Sequence, residues 1–316
     1  MIWTDTDIDS PVIVVRAIYF AATAMMTGAI VFRTVVAAPA LRSQRKAGAV
    51  VSSQVRRLAW ISLPVMVISG AIWVVLLTES LSDQGLHEMV MSGALRDVLT
   101  LTQFGMVAQV RFAIAIMLAI GLLFDRSRWG SRFVLAAALC LTASIAWTGH
   151  AASTPRGLGY IHLTFDVLHL CAASAWVGGL LPLVLLLHAG KRDRSLAQPP
   201  LELEAARRFS VLGIISVATL IISGTVNAWI LVGSFRGLIL TEYGVILMVK
   251  LAAFAIMLAF AAANRLYLTP RLASPTGSGA LRWLTRNTMV EIALGLLIFA
   301  IVGVLGMLHP AAHFVH

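Results

Sequence analysis

Eight runs of roughly twenty apolar residues divide the chain, near 12–37, 56–78, 104–124, 132–150, 162–187, 209–233, 244–267 and 287–308. A helix needs about 20 such residues to cross a bilayer's hydrocarbon core, and lipid forces a crossing segment to satisfy its own backbone hydrogen bonds. Each run is uninterrupted enough to be a helix. None shows the alternation over about ten residues that marks a strand of a membrane barrel. Composition agrees. Of 316 residues, 59% are hydrophobic and only 12% charged, at a mean hydropathy of +0.90. A soluble domain carries about 25% charged residues. At half that level a water-facing surface cannot be built, which excludes a soluble enzyme or a nucleic-acid-binding domain. The sequence predicts an all-α polytopic membrane protein.

The net charge of +10 is a topology signal. The segments that follow the first, third, fifth and seventh runs hold 17 of the 24 Lys and Arg residues, among them Arg42, Arg45, Arg126, Arg192, Arg208 and Arg271. The tails and the other connections hold Arg96, Arg156 and Arg236, and Arg16, Arg33, Arg111 and Lys250 lie inside runs. Positive residues stay on the cytoplasmic side, so both termini are expected to face outward. The basic surface then meets lipid headgroups, and no nucleic-acid partner is expected. The acidic start, MIWTDTDIDSP, lacks the basic region of a signal peptide, so the first run reads as an uncleaved anchor.

The two halves echo each other. Leu101-Thr102-Gln103-Phe104-Gly105 followed by Arg111 returns as Leu240-Thr241-Glu242-Tyr243-Gly244 followed by Lys250, and Ser69-Gly70 returns as Ser223-Gly224. The first run lies over the fifth at an offset of 150, with Arg16 over Asp166, Tyr19 over His169, Met26 over Trp176 and Gly28 over Gly178. An even number of spans per unit inserts both units the same way. The expected organisation is therefore two parallel four-helix repeats, 1–155 and 156–316, about an axis along the membrane normal.

The polar residues left in so apolar a chain are few and unevenly placed. Of eight histidines, His87, His150, His162, His169, His309, His313 and His316 fall on the outer side or in its half, and only His188 falls inward. Histidine is the commonest metal ligand, so an outward cation or cofactor site is expected. The sharpest pattern is His162-x3-Asp166-x2-His169, with Trp176 seven residues on. These spacings share one helical face. A carboxylate two turns into a bilayer costs several kcal/mol unless paired or hydrated, which marks it as functional. His162 and His169 are about 10 Å apart along the axis. A mononuclear site would thus join Asp166 to one of them and complete its shell from another helix end, His150 or His309. Asp166 could instead orient a liganding histidine, or pair with His169 or Arg16 in a purely structural role. His87-x-Met89-x-Met91 and Met307 offer softer ligands suited to Cu(I), whereas methionines also fill gaps in membrane helices. Cys140 and Cys171 lie at similar depth, as a soft relay or as apolar filler. Arg111 and Lys250 read as architectural cations that pair with carboxylates such as Glu242 or snorkel outward. Asn227 is expected to bond between helices, and Glu291 to pair with the basic inner loops.

Laid out in this way, the chain resembles the CopD family of bacterial copper-resistance membrane proteins. The resemblance rests on Trp147-Thr-Gly-His150-Ala, Asp166-x2-His169-x6-Trp176-Val-Gly-Gly179-Leu, Arg208-Phe-Ser210, Ser223-Gly224-x2-Asn227, Leu240-Thr-Glu-Tyr-Gly244, Lys250 and Asn264-Arg265. It is strongest over 147–270 and looser in the first half. It implies a multi-pass protein of the bacterial inner membrane that imports a copper ion and works beside a periplasmic CopC-like copper carrier. The residues expected to hold the metal are His150, His162, Asp166 and His169, with His309, His87, Met89 and Met91 as further ligands. There is no P-loop, so no ATP hydrolysis is expected, nor any other enzymatic activity. A b-type haem electron carrier is the alternative, weakened by the single inward histidine. A copper chaperone for oxidase assembly, which captures without translocating, is the third reading.

Overall fold

The computed structural model describes residues 10–40, 45–82, 85–125, 127–154, 156–192, 199–272 and 277–313. Eight helices in it are long and apolar enough to cross a membrane. They are α1 (Ser10–Ala40), α2 (Ala49–Ser82), α3 (Gln103–Leu123), α4 (Arg128–Thr148), α5 (Gly157–His188), α6 (Leu203–Val232), α7 (Glu242–Arg271) and α8 (Gly279–Leu305). No strand occurs among the described residues. Several helices outrun their apolar stretches. Turns continue into the polar flanks because a helix end bonds as well in water as in lipid headgroups.

The repeated Leu-Thr-[Gln/Glu]-aromatic-Gly motif is a helix start. Thr102 and Thr241 are extended N-cap residues, with φ/ψ of −102°/148° and −105°/151°. Each hydroxyl accepts from the backbone N–H three residues on, at 3.0 Å, which satisfies one of the orphan donors of the helix end. The glycine is needed because a short helix (Ala94–Leu101 or Phe235–Leu240) turns directly into the long one. A Cβ at Gly105 would stand 2.1 Å from the Val98 carbonyl oxygen, and one at Gly244 would stand 2.3 Å from that of Leu238.

The helices are not equal in burial. α1 and α5 form the centre and the other six surround them. α1 packs on α2, α4, α5 and α8, and α5 packs on α6, α8, α1 and α4. α3 packs on α4, and α7 on α8. This pattern maps onto itself when each helix n is exchanged for n+4. The central crossing is a backbone contact. A Cβ on Gly28 would lie 2.3 Å from the Gly178 carbonyl carbon, and one on Gly178 would lie 1.9 Å from the Ala24 oxygen. Association in lipid lacks a hydrophobic drive, so such small-residue contacts supply much of the packing. The mapping fails at one place. α2 packs on α3, but α6 and α7 diverge and are linked only near their inner ends among the described residues, by the turn Thr269–Arg271 and by a hydrogen bond from Arg265 to the Ser210 hydroxyl.

Polar residues within the bundle are tied by side-chain bonds. Arg33 of α1 forms a buried ion pair with Asp125, whose other oxygen lies 3.9 Å from Arg56 of α2. Arg111 donates to the Ser144 hydroxyl, the Ser144 carbonyl and the Thr148 hydroxyl at 3.1, 2.9 and 2.7 Å, and its guanidinium lies over the Tyr19 ring. Glu291 departs from expectation. Its partner is Asn264, which donates at 2.5 Å from a π-helical turn (Asn264–Leu268), and no described basic residue pairs with it. The wider turn swings the Asn264 amide toward α8.

The Gly178 contact leads to a first prediction. Gly178→Leu forces a side chain into the α1 backbone, with no rotamer to relieve it, and costs about 3 kcal/mol or more. Thermal unfolding of the detergent-solubilised protein, followed by size-exclusion chromatography, should show a clear fall in Tm. Gly85→Leu, in open space, should leave it unchanged.

Candidate metal site

On α5 the spacing of four and three residues places His162, Asp166 and His169 along one face, and that face looks into a cavity of about 200 Å³. The helix α4 ends in a 3-10 turn (Ser144–Thr148), and a second such turn (His150–Ser153) brings His150 over the same cavity. Four of the metal-ligand residues expected from sequence therefore share one chamber. Arg16, Asn227, Tyr243 and Lys250 also line it.

The two buried imidazoles of α5 are held in the same way. His169 Nδ1 lies 3.0 Å from the Ser223 hydroxyl, which itself donates to the Thr219 carbonyl at 2.6 Å. His162 Nδ1 lies 2.8 Å from the Thr154 hydroxyl, which donates to the His150 carbonyl at 3.1 Å. A hydroxyl has one proton. When that proton goes to the carbonyl, the oxygen accepts from Nδ1–H and Nε2 keeps its lone pair; when it goes to Nδ1, the tautomer is reversed. This is the arrangement by which outer partners fix a liganding histidine's tautomer.

Asp166 is not paired with His169 or with Arg16. Its Oδ1 accepts from Asn227 Nδ2 at 3.4 Å, and no basic side chain lies within ion-pair distance of it among the described residues. Asn227 thus bonds between helices, as expected, and its own Oδ1 is buried without a partner. Arg16 is committed elsewhere. It donates to the Gly306 carbonyl and to Met307 Sδ at 3.0 and 3.2 Å, and it stacks on Trp73. His150 Nε2 lies 3.3 Å from the Leu305 oxygen, and the His150 ring meets Tyr243 edge to face.

The remaining expected ligands lie elsewhere. His309 is exposed beyond α8 and does not line the cavity. The loop expected around His87 is a short helix, Leu86–Ser92, on which His87 and Met91 are exposed while Met89 is buried on another face. Cys140 and Cys171 are unbridged and do not line the cavity. The side chain of His313 and all of His316 lie outside the described residues. Among the described residues, no three His, Cys, Asp or Glu side chains are close enough to close around one ion. The chamber gathers donors of the right kind without enclosing an ion.

Sequence reasoning missed Thr154, Ser223 and Tyr243 as parts of this site. Ser223 carried a signal, as half of the repeated Ser-Gly pair. Its glycine lets α6 approach the imidazole, since a Cβ at Gly224 would lie 3.3 Å from His169 Cε1. Ser69-Gly70 stands likewise against Tyr19, where a Cβ at Gly70 would lie 3.1 Å from the ring.

An eight-helix membrane bundle with imidazoles and a carboxylate around a buried chamber is the class that fold and site define. Comparison with known proteins is more specific. Residues 203–305 match the family described as Copper resistance protein D, and residues 7–160 match its Copper resistance protein D-like N-terminal domain. The chain is 31% identical to Copper resistance protein D of Pseudomonas syringae pv. tomato, over 53% of this chain and 56% of that protein. It is 32% identical to Inner membrane protein YebZ of Escherichia coli, over 66% of this chain and 70% of that protein. Copper transport protein CutJ of Bacillus subtilis is 30% identical, over 69% of this chain and 39% of its own length. The chain thus spans little more than half of the Pseudomonas relative and less than half of the Bacillus one. No solved structure matches it significantly. The chain belongs to the CopD family of copper resistance proteins. His162, Asp166 and His169 fall between the two matched stretches.

The hydroxyl relays can be tested directly. Ser223→Ala or Thr154→Ala leaves every candidate ligand in place but frees the imidazole proton to move. Each should weaken metal binding by about 10- to 100-fold. Isothermal titration of the purified protein with Cu(II) measures it.

Proposed function

We propose that this protein takes copper from the outer side of the bacterial inner membrane and carries it inward through the bundle, with His150, His162, Asp166 and His169 as its first binding chamber. The observation that carries this reading is the convergence of those four side chains on one cavity within a CopD-family chain. Imidazole nitrogens and a carboxylate are borderline-to-hard donors that suit Cu(II), whereas the methionines near the outer ends would suit Cu(I). Transport rather than catalysis is supported by the name of the Bacillus relative, and an inner-membrane location by that of the Escherichia one. The 17 basic residues clustered on one side of the predicted topology support outward termini. A separate periplasmic carrier of the CopC type would deliver the metal to the outer face. His87, Met89, Met91 and His309 would serve as peripheral capture residues there.

We also read residues 1–155 and 156–316 as parallel repeats, of which the second supplies three of the four chamber ligands and the first supplies His150. The n to n+4 contact pattern, the paired helix starts and the backbone crossing at Gly28 and Gly178 support this. The haem alternative draws less support. The chamber that His150 and His169 share is only about 200 Å³, and the larger cleft beside it, about 560 Å³, has His169 as its one histidine among the described residues.

Uptake into proteoliposomes is the test. Wild-type protein should accumulate copper inside. Asp166→Asn and His169→Ala should each lower both copper binding and uptake at least about tenfold. If both variants bind and transport copper as the wild type does, the assignment of the chamber is wrong. A purified protein with a Soret band and no copper uptake would favour haem.

A further inference from the structure

Lys250 is the unexpected residue in the chamber. The sequence pairs it with a carboxylate such as Glu242 or lets it snorkel outward. It forms no ion pair among the described residues, and it lines both the metal chamber and the neighbouring cleft. No hydrogen bond or ion pair joins it to any described residue. Asp166 lines the same chamber and forms no ion pair with it.

The first half of the chain holds the comparison. Arg111 occupies the same place in the motif after Thr102 as Lys250 does after Thr241. Arg111 is bound by three hydrogen bonds to Ser144 and Thr148 and lies over Tyr19. Arg16, the chamber's other cation, is likewise held by Gly306 and Met307. A cation with an architectural role in this bundle is thus tied on several sides, and Lys250 is not. An ammonium on a flexible stem, inside a bilayer and with no fixed acceptor, is costly unless an opposite charge compensates it. Asp166 provides that charge, and Asp166 is also the only carboxylate among the described residues that line the metal chamber.

We propose that the Lys250 ammonium is a tethered counter-cation that exchanges with the metal at Asp166. In the empty chamber it neutralises the carboxylate. An entering metal ion takes over that role and drives the lysine toward the cleft it also lines, and the returning lysine expels the metal. Binding is thereby weakened and release made faster by the same charge. This inference rests on the metal-site reading above.

The test uses full-length protein in nanodiscs for Cu(II) titration and in proteoliposomes for uptake. Lys250→Met and Lys250→Gln should bind Cu(II) at least about tenfold more tightly, because they remove a positive charge that faces the ion at short range in a weakly screened site. Both should transport it more slowly. Lys250→Arg, which keeps the charge, should bind within about threefold of wild type. Arg111→Met should lower thermal stability without tightening copper binding. Tm is measured for every variant, and loss of a buried charge at 250 should not lower it. Unchanged or weaker copper binding in both neutral variants overturns the exchange, and so does tighter binding with undiminished uptake. If Asp166→Asn and His169→Ala lose copper while the neutral variants bind no more tightly, the exchange alone fails. If those two variants bind copper normally, the chamber itself has been misassigned and the exchange falls with it.

Discussion

The structure depends on how closely α1 and α5 approach at Gly28 and Gly178. In hydrocarbon, neither water nor the hydrophobic effect drives helices together, and backbone-to-backbone packing is what remains. The contact makes α1 and α5 the two most enclosed helices and presses the others around them. It also sets the depth of the chamber. His162, Asp166 and His169 lie on the same helix as Gly178, two to four turns toward its start, on the face that α6, α7, α8 and the turn at His150 close over.

The bundle was largely legible in the sequence, because hydropathy reports which segments enter lipid, and eight did so. The pattern on α5 was legible for a similar reason. Residues 162, 166 and 169 share a face by helical period alone, and polar residues in lipid stand out. What hydropathy does not report is which helix lies against which. The sequence therefore could not choose between His150 and His309, which end the two corresponding helices. A 3-10 turn puts the first over the chamber and leaves the second exposed. Nor could it see that Thr154 and Ser223 orient the two imidazoles. Serines and threonines in membrane helices mostly bond back to their own turn, and these two do so while also hydrogen-bonding a histidine. Glu291 was misjudged for a related reason. Its partner comes from a local π-turn in α7, a departure from helical period that hydropathy does not report.

In the proposed repeat, matching positions carry different chemistry. Where the first has Arg16, Tyr19 and a fully bonded Arg111, the second has Asp166, His169 and an untied Lys250. The first half turns its polar positions inward as structural bonds: Arg16 on the end of α8, Arg111 on the end of α4. The second leaves them facing a chamber.

The separation of α6 and α7 has a consequence for how such a protein behaves in different surroundings. The cleft between them is rimmed by Trp229 and Phe235, 77% and 76% exposed, and it shares His169 and Lys250 with the metal chamber. Its outer wall is therefore whatever hydrocarbon surrounds the protein. Lipid chains and detergent fill such a cleft differently, because a bilayer exerts lateral pressure that a micelle does not. The shape of the chamber, and with it the affinity for its ligand, becomes a property of protein and membrane together, sensitive to bilayer thickness and chain packing.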